Sequence, residues 1–100
     1  LACINSPQSS VVAGPEDQLT ALREKLPEAT FSTFVPGNIA FHSSRCAPIL
    51  ESMKKRLAFL EQHSNAAWSV PLVSTVTGKV VTATPPQYWA DNVRQPVLFQ

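Results

Sequence analysis

Charge of either sign is scarce in this chain. Its 100 residues hold 8 Lys and Arg against 7 Asp and Glu, a formal net charge of +1. So balanced a surface gives no electrostatic case for nucleic acid or an anionic membrane as a partner. The charged share of 15% is low beside the ~25% usual for an autonomous soluble domain. Long apolar runs are absent, which excludes a transmembrane helix. Leu1 is not a starting methionine, and no charged segment followed by an apolar stretch appears, so no signal peptide is expected. The only cysteines, Cys3 and Cys46, are far apart and outside any CxxC spacing. That argues against a disulfide scaffold and for reduced, buried thiols in a cytoplasmic protein. His42 and Cys46 could share a helix face, but no further Cys/His pair completes a metal site, so no metal is expected. Internal repeats and low-complexity tracts are also missing.

What is present is a moderately apolar chain, 44% hydrophobic, enough for a packed core in one small domain or a piece of a larger one. Residues 2–5 and 9–13 favour β structure around Ser6-Pro7-Gln8 and read as a hairpin. Gly14-Pro15 starts a helix with Glu16 and Asp17 in its first turn and Arg23 and Lys25 in its last. Leu19, Leu22 and Leu26 give it one apolar stripe, and Pro27 stops it. Thr30 to Val35 is β-branched and aromatic and reads as a strand. Pro36-Gly37 interrupts it, and Asn38 to Phe41 resumes extended. Pro48 opens a second helix reaching about Gln62, with Leu50, Met53, Leu57 and Leu60 on its apolar face. Gln62 to Ala67 reads as polar loop. Val70 to Thr77 alternates as a strand, Gly78-Lys79 turns the chain into Val80-Val81, and Pro85-Pro86 precedes a short helix over Gln87 to Val93. The order β-β-α-β-α-β predicts an α+β, ferredoxin-like fold, two helices on one face of a small antiparallel sheet. Both ends have the look of a cut: Leu1-Ala2-Cys3-Ile4 is already strand-like, and Pro96 to Gln100 stops in an apolar run without a polar tail, so an internal fragment is expected.

The segment Ala40-Phe41-His42-Ser43 lies between an extended stretch and a helix. A histidine at such a junction has a fixed backbone and a ring free to face a cleft, which suits proton transfer. Most lone histidines are surface or core residues, so the motif alone leaves both readings open. Its company is more specific. Ala2-Cys3-Ile4-Asn5-Ser6-Pro7-Gln8-Ser9-Ser10-Val11-Val12-Ala13-Gly14 precedes it, Val73-Ser74-Thr75-Val76-Thr77-Gly78 follows, and Tyr88-Trp89-Ala90-Asp91-Asn92-Val93-Arg94-Gln95-Pro96-Val97 comes last. In this order and at these separations, the four blocks resemble the acyltransferase domain of polyketide synthases, related to malonyl-CoA:acyl-carrier-protein transacylase, from Leu1 to Gln100.

The resemblance implies the following. Residues 1–68 would belong to the ferredoxin-like insert and 69–100 to a segment returning to an α/β-hydrolase-like large subdomain. His42 would be the catalytic base, assisting a GxSxG serine that takes an acyl group from malonyl-CoA and passes it to the phosphopantetheine thiol of an acyl carrier protein. This chain has no GxSxG, so the serine and the amides beside it lie outside it, as does the arginine that pairs with the malonyl carboxylate; neither Arg45 nor Arg94 takes that role. The backbone carbonyl of Gln95 would orient the base, as a carboxylate does in a triad. Phe41 would favour malonyl over methylmalonyl units by crowding the α-methyl, although Ile39 stands where malonyl-type bacterial domains often place a histidine. Partners would be the acyl-CoA, the carrier protein, and the remaining acyltransferase and ketosynthase parts of the same polypeptide, with no cofactor bound by this segment.

Each assignment has a plainer rival. Phe41 could be core, Gln95 a loop residue before a strand, and Cys46 a nucleophile paired with His42. His63, beside Gln62, Ser64 and Asn65 at a helix end, reads as a solvated residue near the helix dipole. Trp68, Tyr88 and Trp89 read as packing at a subdomain junction. For the chain as a whole, the alternative is a non-catalytic ferredoxin-like ligand-binding or interaction module, which would need no upstream serine.

Overall fold

The structure is a computed structural model that describes residues 1–63 and 68–99. Cys3–Ser6 (β1) and Ser9–Val11 (β2) form the expected hairpin. Pro7 and Gln8 make its turn, with the Gln8 N–H donating to Ser6 Oγ at 3.3 Å. Glu16–Glu24 forms α1, and Pro15 is its N-cap rather than its first helical residue. The missing N–H of proline does no harm at either position. Glu16 and Asp17 at one end and Arg23 at the other complement the helix dipole.

The strand expected over Thr30 to Val35 is not formed. This stretch lies outside both sheets, and Phe31 is 89% exposed. A β-favouring sequence fits a pleated, half-buried surface, but it becomes a strand only where another backbone offers a ladder. Here the segment leans on α1 instead, with the Arg23 guanidinium 5.6 Å from the centre of the Phe34 ring. Gly37 turns the chain after Pro36 with φ 120°, a conformation open to a residue without Cβ.

A single 3-10 turn, Ser44–Cys46, leads into Ala47–Arg56 (α2), which carries Pro48 in its first turn. The helix expected to reach Gln62 ends sooner. The Leu57 N–H is shared between the Met53 and Lys54 carbonyls, and the chain tightens into a 3-10 helix at Ala58–His63. Of the loop expected over Gln62 to Ala67, Gln62 and His63 close that helix; residues 64–67 and Gln100 lie outside the described residues. Leu72–Val73 (β3) pairs antiparallel with Val80–Val81 (β4), so the longer strand expected from Val70 shrinks to two residues before the turn. Pro86–Arg94 (α3) and Val97–Leu98 (β5) follow.

The main sheet has the order β2-β1-β5, with β5 parallel to β1 in the register Cys3↔Val97 and Ile4↔Leu98. The sheet is therefore mixed, where an antiparallel one was expected, and its third strand comes from the C-terminal segment rather than from Thr30 to Val35. Parallel pairing joins residues distant in sequence, and no local pattern announces it. The same pairing ties residues on either side of position 68, as does the packing of α2 on α3. Among the described residues, Ala2, Cys46 and Ala90 form the buried apolar centre, a small one, and the radius of gyration of 16.4 Å exceeds the ~13 Å of a compact domain of this length. No described helix is long and apolar enough to cross a membrane.

Candidate active site

The loop before α2 is stitched by short-range bonds. The Ala40 carbonyl accepts the Ser43 hydroxyl at 2.6 Å and the Cys46 thiol at 3.4 Å, and Ser43 Oγ accepts the Arg45 N–H at 3.3 Å. Between these anchors His42 takes φ 57°, the left-handed region. That conformation costs a residue with a Cβ about 1–2 kcal/mol, so other bonds must hold it there.

They come from the end of α3. The last carbonyls of a helix have no partner within it, and two of them turn to His42. Its backbone N–H donates to the Val93 carbonyl at 2.9 Å, and its ring Nδ1 lies 3.0 Å from the Gln95 carbonyl. Gln95 is the C-cap, with φ −75° and ψ 154°. Pro96 behind it favours that extended shape, which swings the Gln95 carbonyl out of the helix direction. Because a carbonyl only accepts, Nδ1 carries the hydrogen and donates it. Nε2 is then the ring nitrogen with a free lone pair.

His42, Ser43 and Ser44 meet Arg94, Gln95 and Pro96 across a cleft of 320 Å³, with Leu1 and Ala13 completing the lining. The volume is at the lower end of the ~300–1,000 Å³ typical of small-molecule sites. An imidazole held in this tautomer can take a proton from a hydroxyl or thiol brought to Nε2. The Ser43 hydroxyl is not such a group, because its hydrogen is committed to the Ala40 carbonyl.

The pair His42 and Gln95 is thus brought together. Phe41 is not core: it is 47% exposed, its ring centre 6.4 Å from the imidazole centre and tilted by 49°, and it stands beside the cleft lining rather than in it. Ile39 and Arg45 are exposed; Arg94 lines the cleft. Cys46 is buried with its thiol on the Ala40 carbonyl and lies outside the lining, an arrangement that does not present it as a nucleophile. His63 is exposed at the end of its 3-10 helix, and no cluster of three metal-ligating side chains occurs among the described residues. Trp68 is exposed, and Tyr88 and Trp89 pack edge to face, ring centres 5.4 Å apart. The Val93 carbonyl was missed from sequence. A backbone acceptor has no side-chain signature, and only its place in the last turn of α3 hints at a free carbonyl.

Comparison with known proteins identifies the family. The acyl transferase domain family matches residues 1–100. Probable polyketide synthase 1 of Dictyostelium discoideum is 42% identical over 105 residues, covering 100% of this chain and 3% of that protein. Naringenin synthase of Pestalotiopsis fici is 38% identical over 104 residues, covering 99% of this chain and 4% of that protein. The chain therefore spans only a few hundredths of the length of these relatives. Among solved structures, the acyltransferase domain from the second module of the salinomycin polyketide synthase superposes with a TM-score of 0.78 at 33% identity, covering 98% of this chain and 23% of the other. The chain belongs to the acyltransferase domain family of polyketide synthases.

Proposed function

We propose that this chain supplies the proton-transfer half of a polyketide synthase acyltransferase site, the nucleophilic serine coming from elsewhere in the same polypeptide. The observation that carries the reading is the 3.0 Å contact between His42 Nδ1 and the Gln95 carbonyl in the wall of the cleft. Nε2 of His42 takes the proton of the serine hydroxyl as the serine oxygen bonds to the thioester carbon of malonyl-CoA. The carbon–sulfur bond then breaks, and the departing thiolate of CoA takes the proton back from the imidazolium. In the second half the phosphopantetheine thiol of the carrier protein gives its proton to Nε2, attacks the acyl-serine, and the serine oxygen recovers the proton. Gln95 holds the tautomer through its backbone, as a carboxylate does in a triad. Phe41, beside the imidazole, sets the preference for malonyl over methylmalonyl.

In the parent, residues 1–68 contribute to a ferredoxin-like insert and 69–100 return to an α/β-hydrolase-like large subdomain, in a cytoplasmic synthase that works with its own ketosynthase and carrier protein. The test is His42→Ala in the parent, with acyl-enzyme formation followed by intact mass. The rate falls by the ~10²–10⁴-fold that a positioned base contributes; a loss below about threefold, far under that range, makes His42 structural.

A further inference from the structure

Ser74 is a polar residue buried to 1% exposure. Its N–H donates to the Lys79 carbonyl at 2.9 Å, and its own carbonyl accepts the Gly78 N–H at 2.8 Å. Its Oγ accepts the N–H groups of Val76 and Thr77 at 3.1 and 3.3 Å, which closes the turn between β3 and β4. Ser74 Oγ also ties that turn to a distant element: the Tyr88 hydroxyl donates to it at 3.0 Å.

Tyr88 lies in the first turn of α3, and Gln95 caps the other end. At 1.5 Å per residue the two are about 10 Å apart along one rigid helix. On the far side of Gln95, β5 is tied to the same turn, with the Leu98 N–H donating to the Thr75 carbonyl at 2.7 Å. The short bridge Gln95-Pro96, whose carbonyl holds the imidazole, is thus anchored on both flanks to the β3–β4 turn.

We infer that Ser74 and Tyr88 are positioning residues for His42. Their hydrogen bond sets where α3 sits along its axis. The helix in turn sets the Val93 and Gln95 carbonyls that hold His42 in its left-handed backbone and in the Nδ1–H tautomer. Neither residue touches reacting atoms. The inference rests on the proposed base role of His42 only for its effect on turnover; its effect on the tautomer is independent of that role.

Tyr88→Phe in the parent acyltransferase removes one hydroxyl and keeps the ring that packs edge-on against Trp89. Nitrogen-15 NMR of labelled histidine, with the His42 signals identified by their loss in His42→Ala, reads the tautomer directly. In Tyr88→Phe the Nε2–H tautomer becomes visible. Turnover of malonyl-CoA falls about tenfold at unchanged KM, less than the ~10²-fold that a 1 Å misplacement costs. Ser74→Ala breaks the same tie from the other side and is no milder; should it prevent folding, Tyr88→Phe decides alone. Thr77→Val removes a 3.3 Å bond to the Lys79 N–H in the same turn, without a link to α3, and leaves tautomer and turnover as they were. An unchanged tautomer in folded Tyr88→Phe overturns the inference, whatever happens to turnover. A changed tautomer with full activity upholds it and instead removes His42 from its role as base.

Discussion

Two regions of the molecule invite comparison: Thr30 to Phe41, and the stretch from Leu72 to Phe99. The first is the richer in β-branched and aromatic residues, yet it forms no strand, and Phe31, Phe34, Val35, Ile39 and Phe41 are all exposed. The second holds only two-residue strands, and each of them is paired. Within it Val97 donates to Ala2, Phe99 to Ile4 and Leu98 to Thr75, at 2.8, 3.0 and 2.7 Å. Partners, not propensity, decide which apolar run becomes ordered secondary structure. His42 stands where the two regions meet and takes its geometry from the second.

The sharpest way to break this comparison is to ask whether the ordered region suffices for chemistry. The chain of 100 residues should acquire no acyl group from malonyl-CoA, because an imidazole without its serine has nothing to acylate. Stoichiometric self-acylation, seen by intact mass, would defeat the half-site reading and point to Cys46.

The next effect concerns Phe41, the last residue of the unpaired segment. Phe41→Ser in the parent should raise methylmalonyl loading relative to malonyl. One methyl in an apolar pocket is worth roughly 1–3 kcal/mol, so the shift lies within about ten- to two-hundred-fold. Competition between the two CoA thioesters measures it, and an unchanged ratio separates Phe41 from selectivity.

A smaller effect tests the exposed segment itself. Contiguous apolar surface drives association, and a short chain with a small core has little stability in reserve. The isolated chain should therefore self-associate, and Phe31→Ser with Val35→Ser should lower its apparent mass in sedimentation without lowering its melting temperature. A monomer before substitution would show that the segment is already covered.

Much of this was legible in sequence where the cause is local. Pro15, Pro48 and Pro86 mark three helix starts, and Ser6-Pro7-Gln8 marks the hairpin turn. His42 and Gln95 were paired by the resemblance of their surrounding blocks, not by any spacing rule. What sequence hid depends on distant partners. The parallel pairing of β5 with β1 joins the two ends of the chain, and the strand expected at Thr30 failed for want of a ladder. Ser74 read as one more alternating strand residue, although its hydroxyl draws two N–H groups into a turn. The left-handed His42 has no sequence signal either, since tertiary bonds from α3 impose it.

The central claim is that the His42 side chain performs proton transfer and that Gln95 serves it through backbone alone. Single-turnover acylation of the parent by malonyl-CoA, compared between His42→Ala and Gln95→Ala, tests both parts together. His42→Ala should slow acyl-serine formation by about 10²–10⁴-fold, whereas Gln95→Ala keeps the carbonyl that accepts from Nδ1 at 3.0 Å and should leave the rate nearly unchanged. Equal losses in the two variants, or a His42→Ala enzyme that acylates almost as fast as the parent, would contradict the account.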